Sequence, residues 1–548
     1  MPLSQSQTVA FGVKDMQSRY TVHITAAEWR WVVLVGCGLV LLAFLPLLWV
    51  ALLGTSQWQF MGALHNYLDG ATYFSKMTLG MNGDWLVYFQ HTPETHSGVA
   101  IQLLYPLLGH LSRLTSIPPI VMFHVARVFA SLFMYVALYQ LGAVIWSRVR
   151  ARRVFFVIAV LGAGMGWLFA PLTQLTFYPD LSIPEAFPFF STLMNVHFPL
   201  TIGCLALLVG LLITVFRPGA EDDPSLEMGY PIAGLLSILL ALLYPQALVA
   251  IGGAVVLSVA ALLMRERYVP GLVWRWSLAV LLPPIPFALY YVSIVAYNPA
   301  IAEWNAQNYT AAPPIWAFAL GFGLPLLVAL PGIFRALRRF ERDGDRFMLL
   351  WLICVLVVIY LPTNIQRRFA VGFMLPVAYF AARAVEDVWL SHVSRRWRNL
   401  LFAAFVPLIA LSQIFMLFFP VLPMVAGTPE RAVGVLLPRD YRDVYEWIQV
   451  RTRSDDVVLA SPVVSVWMPG WADARVVYGH PYETLDAENK LRMVEGWYAG
   501  TEDCGALIEE YDIRFILYGP EEAKLGSAPC LAEMQEVARS GDVMIYAP

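Results

Sequence analysis

Apolar runs of bilayer length recur along most of this chain, separated by short polar breaks. A helix needs roughly 20 consecutive apolar residues to cross a membrane. The pattern predicts about eleven transmembrane helices, near 31–53, 117–146, 154–171, 198–216, 230–244, 246–264, 271–296, 314–334, 347–362, 369–385 and 399–423. After about residue 425 the pattern changes. DYRDVYEWIQVR, ENKLRMVEGWYAG and EDCGALIEEY carry helical periodicity, whereas DVVLASP, ARVVYGHP, IRFILYGP and VMIYAP read as short strands closed by Gly or Pro. Helix alternating with strand predicts a small α/β unit with a mainly parallel sheet. The expected organisation is a multi-span membrane domain over 1–425, with interfacial helices within 54–116, followed by an α/β domain over 426–548.

Composition agrees with this pattern. Hydrophobic residues make up 59% and charged residues 14%, which excludes a soluble globule of 548 residues. The net charge of −3 comes without a basic stripe, so nucleic acid is not an expected partner. The first 25 residues are polar and precede a span too long for a cleaved signal peptide, so that span is expected to remain as an anchor.

Basic residues set the orientation. Arg148, Arg150, Arg152 and Arg153, then Arg265 and Arg267, then Arg335, Arg338, Arg339, Arg342 and Arg346, then Arg395, Arg396 and Arg398 all fall on one side if 98–115 lies along the interface. The positive-inside bias makes that side cytoplasmic and places the tail outside. PTNIQRRFA breaks the pattern, because Gln366, Arg367 and Arg368 then sit on the outer face, in a tight turn after Pro362. Guanidinium groups grip phosphate bidentately. A lipid-linked phosphate at headgroup level is the ligand this exception predicts; pairing with ordinary headgroups or outer carboxylates is the alternative.

The long loops also fall outside, over about 54–116, 172–197 and 297–313, and chemistry concentrates in such loops. In the first, Asp69 stands just past a span, where a carboxylate can act on a hydroxyl acceptor or simply cap a helix. Glu94 and His96 in the same loop are candidate substrate contacts. In the second, Glu185 and His197 stand near Asp180 and Asn195, able to position a sugar, to hold a divalent cation, or merely to satisfy one another. In the third, Asn298, Trp304 and Gln307 join amides to an aromatic face suited to sugar, although aromatic residues also gather at interfaces. The sequence demands no cofactor, and a divalent cation stays an open alternative. Cys37, Cys204 and Cys354 fall within spans as apolar fillers, while Cys504 and Cys530 in the tail are either bridged or free. No phosphate-binding glycine fingerprint follows the first tail strand, which argues against a nucleotide site there.

The block from Asp69 through YFSKM to NGDW, Asn82 to Trp85, resembles the first-loop block of the GT-C glycosyltransferases, notably the aminoarabinose transferases and protein O-mannosyltransferases. In those families an Asp opens the block, a Tyr follows and a Gly-Asp-Trp-like element closes it. The neighbouring acidic position of the family is Gly70 here, and the Lys-Pro element of the aminoarabinose branch is replaced by TPETHSG. The resemblance implies an inverting, extracytoplasmic sugar transferase of a bacterial plasma membrane. It would use a polyprenyl-phosphate-linked donor, an acceptor hydroxyl of unknown identity, and Asp69 as general base. A transporter or flippase for a lipid-linked solute, or a non-catalytic membrane assembly factor, are the other classes this sequence allows.

Overall fold

The computed structural model describes residues 23–52 and 57–548. The polar stretch up to residue 22, and residues 53–56 at the start of the first long loop, lie outside the described residues.

All eleven predicted spans are helical. Eight helices among the described residues are long and apolar enough to cross a membrane, and the pair Arg395–Ile409 and Leu411–Val425, bent by 43°, makes a ninth. Tyr230–Leu243 and Gly344–Val358 are shorter, at 14 and 15 residues. Several of the spans are interrupted within their length, two of them as follows. Val149–Leu161 stops at Gly162 and resumes at Gly166–Thr173. Gly271–Leu281 and Ile285–Tyr297 are separated by Pro283 and Pro284, as proline's missing donor and fixed φ dictate. The face around Ile285–Tyr297 buries no residue and looks outward from the bundle. Cys204 and Cys354 are buried fillers, but Cys37 is exposed on the outside of its helix, so the filler role fails for it.

The first long loop carries two helices. Tyr67–Asn82 packs against Leu104–Thr115, which at 12 residues is too short to span. Two glycines let the backbones touch: a Cβ on Gly80 would lie 2.1 Å from the Pro106 carbonyl oxygen, and one on Gly109 would lie 2.0 Å from that of Met77. Tyr73 stacks on Tyr105 across the same seam, with ring centroids 4.2 Å apart.

The tail carries a five-stranded sheet. Strand β1 (Trp58–Phe60) belongs to the first loop and pairs antiparallel with β2 (Leu436–Pro438), tying the two regions together. The main sheet runs β4 (Arg475–Val476), β3 (Val457–Leu459), β5 (Ile513–Tyr518), β7 (Val543–Ala547), β6 (Gln535–Ser540). β3 is parallel to both β4 and β5, while β7 is antiparallel to both β5 and β6. The sheet is therefore mixed, not mainly parallel, because the chain ends in a hairpin. Its β6, QEVARS, is a polar edge strand without the apolar alternation that sequence reading relies on. Cys504 and Cys530 form a disulfide beside this sheet.

Candidate active site

Each long loop contributes one wall of a single cavity, the arginine turn a fourth and the tail a fifth. Tyr67–Asn82 brings Asp69; Pro184–Ala186 brings Glu185; Pro299–Gln307 brings Trp304; the turn Gln366–Ala370 brings Arg367 and Arg368; and the loop after β4 brings His480, Tyr482 and Glu483. His197, Tyr244 and Asn308 complete the lining named here. The cavity encloses about 120 Å³, room for a small polar group with its waters.

Asp69 sits in the first turn of its helix. Asn66 is the N-cap, in a left-handed conformation at φ 45°, and its Oδ1 accepts from the Asp69 amide. Asn66 Nδ2 in turn donates to Asp69 Oδ2 at 2.5 Å. Asn66, not Asp69, therefore caps the helix, and the second carboxylate oxygen is left for the cavity. The side chain is 45% exposed into this space yet surrounded by protein. That desolvation raises its pKa, with Glu483 adding to the rise and Arg368, Asn66 and Lys76 opposing it. A Cβ on Gly70 would lie 2.5 Å from the Ala63 Cβ, so no acidic side chain fits at that position.

The arginine turn hangs from the third loop. Thr310 N donates to the Asn364 carbonyl at 2.7 Å, Arg367 N donates to the Thr310 carbonyl at 3.1 Å, and the Gln366 side-chain oxygen accepts from Ala312 N at 3.1 Å. Arg368 Nη2 donates to Asn308 Oδ1 at 3.1 Å. Among the described residues, neither guanidinium is in salt-bridge contact with a carboxylate, although Glu185 and Asp69 lie near enough to interact electrostatically. Glu185 is buried and accepts from the Tyr244 hydroxyl at 3.0 Å. Burial raises its pKa against the pull of Arg367, Arg368 and that hydroxyl. His197 Nδ1 shares a 2.6 Å hydrogen bond with the Tyr105 hydroxyl.

The structure thus brings together Asp69, Glu185, His197, Trp304, Arg367 and Arg368. Five other candidates do not line the cavity. Gln366 is used within the turn, its amide nitrogen donating to the Leu361 carbonyl at 2.9 Å. Asn298 caps its helix through Ala300 N and Ile301 N. Gln307 donates to the carbonyls of Tyr482 at 2.7 Å and Thr484 at 2.5 Å. Glu94 is paired with Lys490, and His96 accepts from Phe89 N at 2.9 Å. Here these five polar side chains, expected to contact substrate or phosphate, engage loop backbone or ion-pair partners instead of the cavity. Among the described residues no group of three or more His, Cys, Asp or Glu is placed to hold a metal ion. Sequence reading gave no role to Tyr244 or Tyr482; Asn308 stands in the amide-rich third loop beside Asn298 and Gln307, and His480 and Glu483, in the tail segment GHPYETLDAENK, read as structural. The sequon Asn308-Tyr309-Thr310 has its Asn buried against Arg368.

No protein-family model matches the chain, and no curated protein matches it in sequence. Solved structures do match. The apo oligosaccharyltransferase of Archaeoglobus fulgidus superposes with a TM-score of 0.52 at 14% identity, covering 94% of this chain and 74% of that one. ArnT from Cupriavidus metallidurans bound to undecaprenyl phosphate gives 0.50 at 12% identity, covering 95% and 98%. The fold is GT-C. A. fulgidus AglB in complex with an inhibitory peptide and a dolichol-phosphate shares the GT-C fold at a TM-score of 0.50 and 12% identity, over 93% of this chain and 72% of that one. Within this GT-C frame, the cavity lies where the long loops meet the tail.

Proposed function

We propose that this protein is an extracytoplasmic, inverting glycosyltransferase that takes its sugar from a polyprenyl-phosphate-linked donor. The observation that carries the reading is the meeting of Asp69 with Arg367 and Arg368 in one polar cavity. Two guanidinium groups that make no salt bridge among the described residues, beside a carboxylate of raised pKa, suit a reaction that releases a phosphate and needs a proton acceptor. The structural neighbours bind dolichol-phosphate and undecaprenyl phosphate, which points the same way.

In this reading the acceptor hydroxyl oxygen attacks the anomeric carbon while the carbon–oxygen bond to phosphate breaks. The bonding electrons leave with the polyprenyl phosphate, whose charge Arg367 and Arg368 stabilise. The hydroxyl proton passes to Asp69. Configuration inverts, because a single displacement occurs. A raised pKa makes Asp69 a stronger base than an ordinary aspartate. Trp304 offers an aromatic face to the sugar, and Glu185 and His197 offer polar edges. The outer location of this chemistry is supported by the inside bias of the arginines and by the tail disulfide, which belongs to an oxidising compartment.

The test is incubation of the purified protein in vesicles with polyprenyl-phosphate sugars. Release of polyprenyl phosphate, lost by about 100-fold or more in Asp69→Asn, is the expected result. Movement of intact donor across the bilayer without release would make the protein a transporter.

A further inference from the structure

The tail forms one wall of the cavity through His480, Tyr482 and Glu483. His480 is 3% exposed, and its Nδ1 accepts the backbone N–H of Tyr482 at 3.1 Å and of Glu483 at 3.2 Å. A neutral imidazole has one donor and one acceptor nitrogen, so the proton resides on Nε2. That nitrogen faces Asp69 Oδ1 at 3.9 Å. Asp69 Oδ2 is already taken by Asn66. Burial lowers the His480 pKa to about 3, Glu483 opposing and His91 and Lys76 reinforcing, so the ring stays neutral at ordinary pH.

We propose that His480 is a positioning residue for Asp69, its Nε2–H aiming the carboxylate at the acceptor hydroxyl. This rests on the reading of Asp69 as the base. The hydroxyl proton goes to Asp69, and His480 keeps its own.

The loop that carries His480 is held on several sides. Gly479 N and His480 N donate to Thr484 Oγ1 at 3.1 and 3.0 Å, and that hydroxyl donates to the His91 carbonyl at 2.6 Å. Gln307 grips the Tyr482 and Thr484 carbonyls from the third loop. Lys76 pairs with Glu483 at 2.5 Å. The ring therefore reaches the cavity on a fixed mount, which an orienting group requires. Three charged groups also act on Asp69: Arg368 from the arginine turn, Lys76 from its own helix and Glu483 from the tail. His480 differs from them in offering a neutral, directional N–H.

Two variants separate this role from a structural one. In His480→Asn the amide oxygen takes the place of Nδ1 and still accepts the two backbone N–H groups, but residue 480 no longer offers a donor toward Asp69 Oδ1. In His480→Gln an amide N–H reaches the position of Nε2. We expect His480→Asn to retain its thermal midpoint and its KM for the lipid donor while kcat falls about 10- to 100-fold. The acid limb of its kcat/KM profile should move to higher pH, because the carboxylate has lost a donor to its charged form. His480→Gln should recover most of kcat and return the limb. A folded His480→Asn with wild-type kcat and an unmoved limb overturns the proposal. If the Asn variant does not fold, the Gln variant decides alone: retained kcat supports the role, and loss equal to that of Asp69→Asn overturns it. Transfer that survives in Asp69→Asn overturns the base assignment itself, whereas transfer lost there but normal in His480→Asn removes only the role of His480.

Discussion

Lys76 and Glu483, 407 positions apart in the chain, form a buried salt bridge with Nζ 2.5 Å from Oε1 and side chains 2% and 8% exposed. His91 Nδ1 stands 3.5 Å from the other carboxylate oxygen. Removing one partner of such a pair strands the other as a buried charge. Glu483→Gln or Lys76→Met should each destabilise the protein by about 3–5 kcal/mol, and the double variant Lys76→Met with Glu483→Leu should recover much of that loss. Burial works to raise the Glu483 pKa, but Lys76 and His91 override it and hold it below its ordinary 4.5. The pair's contribution is then fully present above about pH 4.5 and declines as pH falls below that value. Thermal midpoints measured against pH for wild type and Glu483→Gln check this: the gap between them should narrow on acidification, and a gap independent of pH counts against the ion pair.

Arg367 and Arg368 should set affinity for the lipid phosphate. Loss of a hydrogen bond to a charged group costs about 1.5–3 kcal/mol, so Arg367→Ala or Arg368→Ala should each weaken polyprenyl phosphate binding by about 10- to 100-fold. Arg368→Lys keeps the charge but not the planar fork, and should restore only part. Trp304 lines the same cavity and offers a fluorescence signal for the titration. Unchanged affinity in both alanine variants would sink the anion site.

Gly70 is fixed by packing against Ala63. A methyl added at Gly70 lands 2.5 Å from the Ala63 Cβ. Gly70→Ala should cost about 1–3 kcal/mol through overpacking. Adding Ala63→Gly to that variant should return the thermal midpoint toward wild type, and no recovery would show that the contact is not the cause. Gly70→Asp, which rebuilds the acidic pair of the resembled families, should be less stable than Gly70→Ala.

The Cys504–Cys530 bridge reports on orientation. It closes a separation of 26 residues, and its removal by Cys504→Ser should cost about 2–4 kcal/mol. In intact cells a membrane-impermeant maleimide should label the tail only after reduction and only from outside. Labelling confined to the inner face would reverse the orientation.

The membrane helices were legible because bilayer-length apolar runs leave little alternative. Arg367 and Arg368 were legible because they break the charge bias, and Asp69 because of its place beside YFSKM. The amide-rich third loop misled. Asn298, Gln307 and Gln366 read as ligand contacts, yet unpaired backbone in irregular loops demands partners first, and these side chains supply them. Tyr244 lies at the end of an apolar run, and no local pattern sets it apart from the other tyrosines near membrane edges. β1 was invisible because three residues pair with a strand near the start of the tail, and no local pattern announces so distant a partner.

The Lys76–Glu483 pair also bears on any attempt to simplify the protein. A version ending after the last span would leave Lys76 without its carboxylate partner, open one side of the reaction chamber to bulk solvent and strip β1 of its strand neighbour β2. The soluble portion is thus better regarded as the lid of the vessel than as cargo it carries, and the two should rise or fall together in any fragment made for study.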